Sequence, residues 1–168
     1  MRYILLFCAI IFTSCSQGQD LVVFPKEALN DVFISQEDKQ VVFSSILEAH
    51  KGETILIDLW ASWCRDCIVG MPKVKALQEE FKDAVFVFLS LDKTKESWKR
   101  GIKKYSIEGE HYFVSAGWKS PFCDAIDLDW IPRYIMVDSL GKIVVYRAIE
   151  ANDFRLRKAL ELSAISEK

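Results

Sequence analysis

Two cysteines, Cys64 and Cys67, stand in the stretch DLWASWCRDCIVGMP (residues 58–72), directly after an apolar run and directly before a segment with helical spacing. A Cys-x-x-Cys pair at such a junction has three uses: a redox dithiol, half of a zinc site, or a permanent disulfide. The redox use needs one sulfur whose anion is stabilised near the working pH, because the thiolate is the nucleophile in disulfide exchange. A helix N-terminus supplies this. Cys64 at the N-cap or first turn faces unpaired backbone N–H groups and the positive end of the helix dipole, with Cys67 one turn along. Arg65 favours the anion and Asp66 opposes it. Zinc needs four ligands; the remaining candidates, Cys123, His50 and His111, form no second ligand pair at a characteristic spacing. A permanent bond between Cys64 and Cys67 closes so short a loop that it removes little entropy from the unfolded chain, which argues for a bond meant to open.

Asp58 is the other candidate for chemistry. It sits inside Ile55, Leu56, Ile57, Leu59 and Trp60, where burying a charged carboxylate is costly. A buried acid there has a raised pKa and can carry a proton near neutral pH. Strand alternation leaves open the other reading, that Asp58 faces water.

The elements that must position these residues follow from pattern. TILIDLWA (54–61) reads as a strand buried on both faces, CRDCIVGMPKVKALQEEFK (64–82) as a helix kinked at Pro72, and VFVFLSLD (85–92) as a second buried strand. Upstream, LVVF (21–24) reads as a strand. Ser35 reads as the N-cap of a helix carrying Val41, Val42, Ile46 and Leu47 and ending at Gly52. Downstream, the spacing predicts a helix over Glu96–Tyr105 and a short one capped by Ser120 and Pro121. RYIMVD and KIVVYR form a hairpin about the turn at residues 139–141, and a last helix is capped by Asn152. Strand-helix-strand units require right-handed crossovers and a partly parallel sheet covered on both faces, to which the hairpin adds antiparallel partners. The expected fold class is α/β, with a mixed sheet between helices.

The chain has 168 residues, enough for one ordinary domain. Its net charge of -2, with both signs interspersed, lacks the basic footprint of a nucleic-acid binder. Arg2 followed by an apolar block from Tyr3 to Phe12 and then by small and polar residues reads as an export signal, too short for a membrane span. FTSC, ending at Cys15, resembles the lipobox of bacterial lipoproteins, in which the cysteine is lipidated and becomes the mature N-terminus. The expected division is a signal peptide over 1–14, lipid attachment site and tether over 15–20, and one domain over 21–168. Cys8 then leaves with the signal, Cys15 carries lipid, and Cys64, Cys67 and Cys123 remain as one pair and one leftover thiol.

ILIDLWASWCRDCIVGMP resembles the active-site segment of the thioredoxin superfamily. With the signal and lipobox, the resemblance is to its extracytoplasmic TlpA/ResA-like thiol-disulfide oxidoreductases, over roughly residues 40 to 160. The resemblance implies a thioredoxin fold, with Cys64 as attacking and Cys67 as resolving cysteine of a redox-active disulfide. Asp58 falls on the family's buried acid, which takes the resolving thiol's proton, and Trp63 on the tryptophan flanking the site. Ile131-Pro132 falls on a cis-proline opposite the dithiol. From sequence alone a trans bond is the default; a cis bond would expose the Ile131 backbone to an extended substrate segment, with Trp63 and Trp130 nearby. Trp130 reads equally as core. The resemblance implies no cofactor or metal, disulfide-containing protein substrates, a membrane-bound thiol donor and a periplasmic or envelope location. A redox-inactive thioredoxin-like binding or scaffold lipoprotein is the alternative. A peroxidase of the superfamily usually has Thr three residues before its cysteine, where this chain has Ala61.

Overall fold

The computed structural model describes residues 20–166. The expected signal, Cys15 and nearly all of the tether lie outside the described residues. In chain order the elements are α1 (Lys26–Leu29), β1 (Val32–Ser35), β2 (Gln40–Val42), α2 (Phe43–Ala49), β3 (Ile55–Trp60), α3 (Arg65–Glu80), β4 (Val85–Ser90), α4 (Lys95–Tyr105), β5 (Glu110–Phe113), α5 (Pro121–Ala125), β6 (Arg133–Val137), β7 (Ile143–Ala148) and α6 (Phe154–Ser166).

Seven strands form one mixed sheet in the order β2-β1-β5-β4-β3-β6-β7. The central strands β3 and β4 run parallel, as do β4 and β5, while β6 lies antiparallel to β3. Every residue of β3 is buried, as its continuous apolar run requires of a strand covered on both faces. From β3 to β4 to β5 the chain steps twice in the same direction, so two right-handed crossovers put α3 and α4 on one face. Side-chain contacts agree: Trp98 of α4 stacks on Phe113 of β5 at 5.7 Å. α6 joins this face beside α3, where Arg157 pairs with Glu80 and lies over the Phe81 ring. The opposite face is sealed by α1, α2 and α5 through an aromatic cluster of Phe24, Phe33, Phe43 and Phe122, with Phe43 and Phe122 edge to face at 4.7 Å.

The sequence reading of the first third needs correction. LVVF is a bend, not a strand, although the Val22 carbonyl accepts from the Ile143 N–H at the β7 edge. Ser35 caps no helix. It closes β1, and its hydroxyl accepts from the N–H groups of Glu37 and Lys39 in the turn to β2, where Asp38 takes φ 62°. The apparent helical spacing of Val41, Val42, Ile46 and Leu47 straddles the end of β2 and the start of α2. At the far end Asp153, not Asn152, serves α6: its carboxylate accepts from the Arg155 N–H at 2.9 Å, while Asn152 accepts from Lys73. α3 continues through Pro72 to Glu80. α4, α5 with its Ser120 cap, and the β6–β7 hairpin lie where pattern places them.

Candidate active site

β3 delivers the chain to the N-terminus of α3, and Cys64 is the N-cap residue. Its sulfur accepts from the Cys67 N–H at 3.1 Å, so a first-turn donor that has no intrahelical partner is spent on the sulfur. Any negative charge that develops on that sulfur is stabilised by the same N–H and by the helix dipole. Cys64 and Cys67 are joined in a disulfide, with Cα atoms 5.3 Å apart. Both residues are buried, Cys64 at 6% exposed and Cys67 at 1%, but they face different surroundings. Cys64 lines an open cleft of about 390 Å³, whereas Cys67 turns inward with Met71, Val74 and Leu77 on the sheet-facing side of α3.

That cleft is aromatic. Trp63 (53% exposed), Trp130 (56%) and Trp118 (39%) stand around Cys64, together with Arg65, Asp66, Asp129 and Ile131. The Ile131–Pro132 bond is cis, and the Ile131 carbonyl oxygen lies 3.7 Å from the Cys64 sulfur. Trp130 is therefore surface at the cleft rather than core. Trp118, in the turn before α5, belongs to the same rim, and nothing local in YFVSAGWKSPF distinguishes it from a core aromatic.

Two further residues hold this rim. Asp92 is buried behind the loop from β3 to α3 and accepts from the Ser62 N–H at 3.0 Å, the Ser62 hydroxyl at 2.6 Å and the Ser90 hydroxyl at 2.9 Å. It fixes the residue two before Cys64. Arg133 is buried at the start of β6; one of its terminal nitrogens pairs with the Asp129 carboxylate, bracketing Trp130, Ile131 and Pro132. Sequence reasoning missed both. The available signals were polar residues at the ends of buried strands, after VFVFLSL and before YIMV.

Beneath the dithiol lies Asp58, 1% exposed. Neither carboxylate oxygen has a hydrogen-bond partner among the described residues. Loss of hydration alone pushes its carboxyl up to about 8. Directly opposite it across the ladders are Phe88 of β4 and Tyr134 of β6, and opposite Phe88 is His111 of β5. Residues paired in this way share one sheet face. That face is the one covered by α3, because a Cβ on Gly70 of α3 would lie 3.1 Å from the Tyr134 hydroxyl. Asp58 and the buried side of α3 that carries Cys67 therefore look at each other. The arrangement is one sulfur bordering an open cleft, a second sulfur turned toward the sheet, and a buried acid on the sheet face that α3 covers, whose charged form burial penalises.

The other candidates of the sequence lie elsewhere. His50 bonds Glu53 and Glu110, His111 stacks on Phe88 with its ring kept neutral by burial, down to about 4, and Cys123 is buried in α5. They do not converge with the dithiol or with one another.

A family model described as thioredoxin-like matches residues 52–143. The thiol-disulfide oxidoreductase ResA of Bacillus cereus is 22% identical over 147 residues, which span 84% of this chain and 81% of that protein. A solution structure from Bacteroides vulgatus, assigned as a thiol-disulfide oxidoreductase, aligns with a TM-score of 0.67 at 30% identity, covering 90% of this chain and 94% of that one. A secreted disulfide oxidoreductase of Mycobacterium tuberculosis shares the fold at 15% identity, with a TM-score of 0.63 over 82% and 99% of the two chains.

Proposed function

We propose, from the premise that this chain belongs to the thioredoxin-like family and is a thiol-disulfide oxidoreductase, that it reduces protein disulfides outside the cytoplasm while tethered to a membrane through Cys15. The observation that carries the catalytic part is the inequality of the two sulfurs: Cys64 at the helix N-cap opens to the cleft, and Cys67 is closed off behind it.

In the reduced protein the Cys64 thiolate attacks one sulfur of a substrate disulfide. The substrate S–S bond breaks, a mixed disulfide forms, and the departing substrate sulfur takes a proton from solvent. An extended substrate segment pairs with the Ile131 backbone beside Pro132, between Trp63 and Trp130. Cys67 then gives its proton to Asp58 in its ionised form and attacks the Cys64 sulfur, which closes the Cys64–Cys67 bond and expels the second substrate sulfur, which takes a proton from solvent. Each turnover leaves the protein oxidised by two electrons, and a membrane-bound dithiol donor restores it. No step calls on a cofactor.

Two experiments test this. The purified protein reduces insulin disulfides with dithiothreitol as donor, and Cys64→Ser abolishes turnover; retained activity in that variant removes Cys64 from its role. A wild type inert toward every disulfide favours the scaffold reading instead. For the tether, which rests on the apolar block and FTSC, palmitate labels the full-length protein in a bacterial host and the label disappears in Cys15→Ala. Unlabelled, processed protein discards the anchor.

A further inference from the structure

The acid under Cys67 must lose the proton it receives before the next turnover, and a fully enclosed carboxyl has no solvent to give it to. A path is built on one side of it. Tyr134 is the cross-strand neighbour of Asp58, and its hydroxyl oxygen, like both Asp58 oxygens, is buried with no hydrogen-bond partner among the described residues. Unmatched buried polar groups are costly, and although Trp60, Trp98 and His111 also carry one, Asp58 and Tyr134 are directly paired across β3 and β6 and face the same helix. The Asp58 charge is felt at the phenol, which burial first and that carboxylate second hold in its neutral form.

Tyr134 also lines a second cleft, of about 290 Å³, between α3, Pro132 and the connection from β7 to α6. Gly70 lines it too, and glycine inside a helix costs roughly 1 kcal/mol relative to alanine. Its reason is local: a Cβ there would stand 3.1 Å from the Tyr134 oxygen, closing the gap between hydroxyl and cleft. The hydroxyl thus has a buried acid as its cross-strand neighbour and, beside a helix position with no side chain, a surface cleft.

We infer that the Tyr134 hydroxyl is a positioning and relay group that passes the Asp58 proton to the cleft beside Gly70. The inference rests on the reading of Asp58 as proton acceptor. The step balances without a phenolate: the Asp58 carboxylic proton moves, through one bridging water, to the phenol oxygen as the phenol proton moves to cleft water. Asp58 is left ionised, Tyr134 neutral and one proton in solvent. The other titratable groups around the path are few. α3 contributes Cys67 on its sheet-facing side and Asp66 and Lys73 at the cleft, the segment after β7 contributes Glu150, and the Phe88 ring, stacked on His111, stands between His111 on β5 and Asp58 on β3.

The test uses Tyr134→Phe, which keeps the ring and removes the oxygen, and Gly70→Ala, which keeps the oxygen and crowds it. Two readouts are taken: the titration of Asp58 in the oxidised protein, by carbon NMR of its carboxyl, and the pH profile of mixed-disulfide resolution by stopped flow. The phenol reaches the carboxylate only through the bridging water, so removing the oxygen that holds that water takes away its stabilisation of the ionised form and raises the Asp58 midpoint by about one pH unit in Tyr134→Phe. With less of Asp58 ionised near neutral pH, resolution in single turnover slows in proportion, about tenfold, and regeneration of ionised Asp58 between turnovers slows as well. Gly70→Ala slows regeneration in the same sense with its Asp58 midpoint near that of the wild type. A merely structural tyrosine lowers thermal stability and leaves the Asp58 midpoint where it was. An unmoved midpoint, or a moved midpoint with unslowed regeneration, overturns the relay while a slowed Asp58→Asn resolution keeps the acceptor reading. A wild-type resolution profile in Asp58→Asn removes the acceptor reading, and the relay falls with it.

Discussion

Asp58 and Asp92 are two carboxylates buried to nearly the same degree, 1% and 3% exposed, one on β3 and the other two residues past the end of β4. Asp92 is surrounded by donors: the Ser62 backbone and hydroxyl and the Ser90 hydroxyl fill both of its oxygens. Asp58 has none among the described residues; its flanking neighbours on the same face are the Phe88 and Tyr134 rings. Burial alone therefore does not say what an acid does. Surrounded by donors, a carboxylate is an anchor that ties the approach to Cys64 to the end of β4. Surrounded by rings, its charged form is penalised and its proton is held to higher pH. The anchor holds Ser62, two residues before the first sulfur.

The comparison can be broken most forcefully at Asp58. Its carboxyl is held at about 8 in the folded protein against an ordinary value near ~4 in the unfolded chain. Between those values the unfolded chain is ionised and the folded one is protonated. Folding stability therefore falls as pH rises through this window and levels off above it, by on the order of 5 kcal/mol in total. Asp58→Asn removes that slope, so urea unfolding of the two oxidised proteins diverges as pH rises, with the variant the more stable. Its resolution of the mixed disulfide is about a hundredfold slower near neutral pH, and the defect shrinks at high pH as Cys67 ionises unaided. Parallel stability curves and superimposable rate profiles would make Asp58 a second Asp92.

At Asp92 the expectation has the opposite character. Asp92→Ala leaves buried donors of Ser62 and Ser90 unpaired and lowers stability by about 2–4 kcal/mol. It lowers turnover by loosening the loop before Cys64, without altering the shape of the pH–rate profile. A changed profile shape would mean that Asp92 shares in the proton chemistry.

Cys123 supplies the smallest effect. It is buried on α5, away from the dithiol, and burial pushes its thiol up to about 11. Cys123→Ala is expected to cost about 1 kcal/mol or less and to leave turnover unchanged. Iodoacetamide labels this position in the unfolded protein and spares it in the folded one. Labelling of the folded protein would put a third reactive thiol beside the pair.

Sequence pattern reached the centre of the fold because the centre is made of long, one-signal segments. ILIDLW has no choice but a doubly covered strand, and Cys64 at its exit has no choice but a helix start. The edge was illegible for the converse reason. β1, β2 and β5 are three or four residues each; β2 pairs only with β1 beside it in the chain, and what joins that hairpin to the sheet is a partner brought from far along the chain, Phe113 for Ile34. A Ser hydroxyl that accepts backbone N–H groups serves a helix cap and a hairpin turn equally well, so Ser35 could be read either way until its strand partner was seen.

The same division runs through the site. The sequence by itself determined the reactive pair, its place at a strand-helix junction and the presence of an acid inside an apolar run, because spacing and residue type carry those facts locally. Tertiary structure alone decided which sulfur meets solvent, that Trp118 and Trp130 belong to its rim, that Arg133 brackets the Ile131–Pro132 loop, and that Asp58 is unpartnered while Asp92 is satisfied. Those facts depend on which groups from distant strands and helices come within about 3 Å of an oxygen or a sulfur, a distance that no sequence interval encodes.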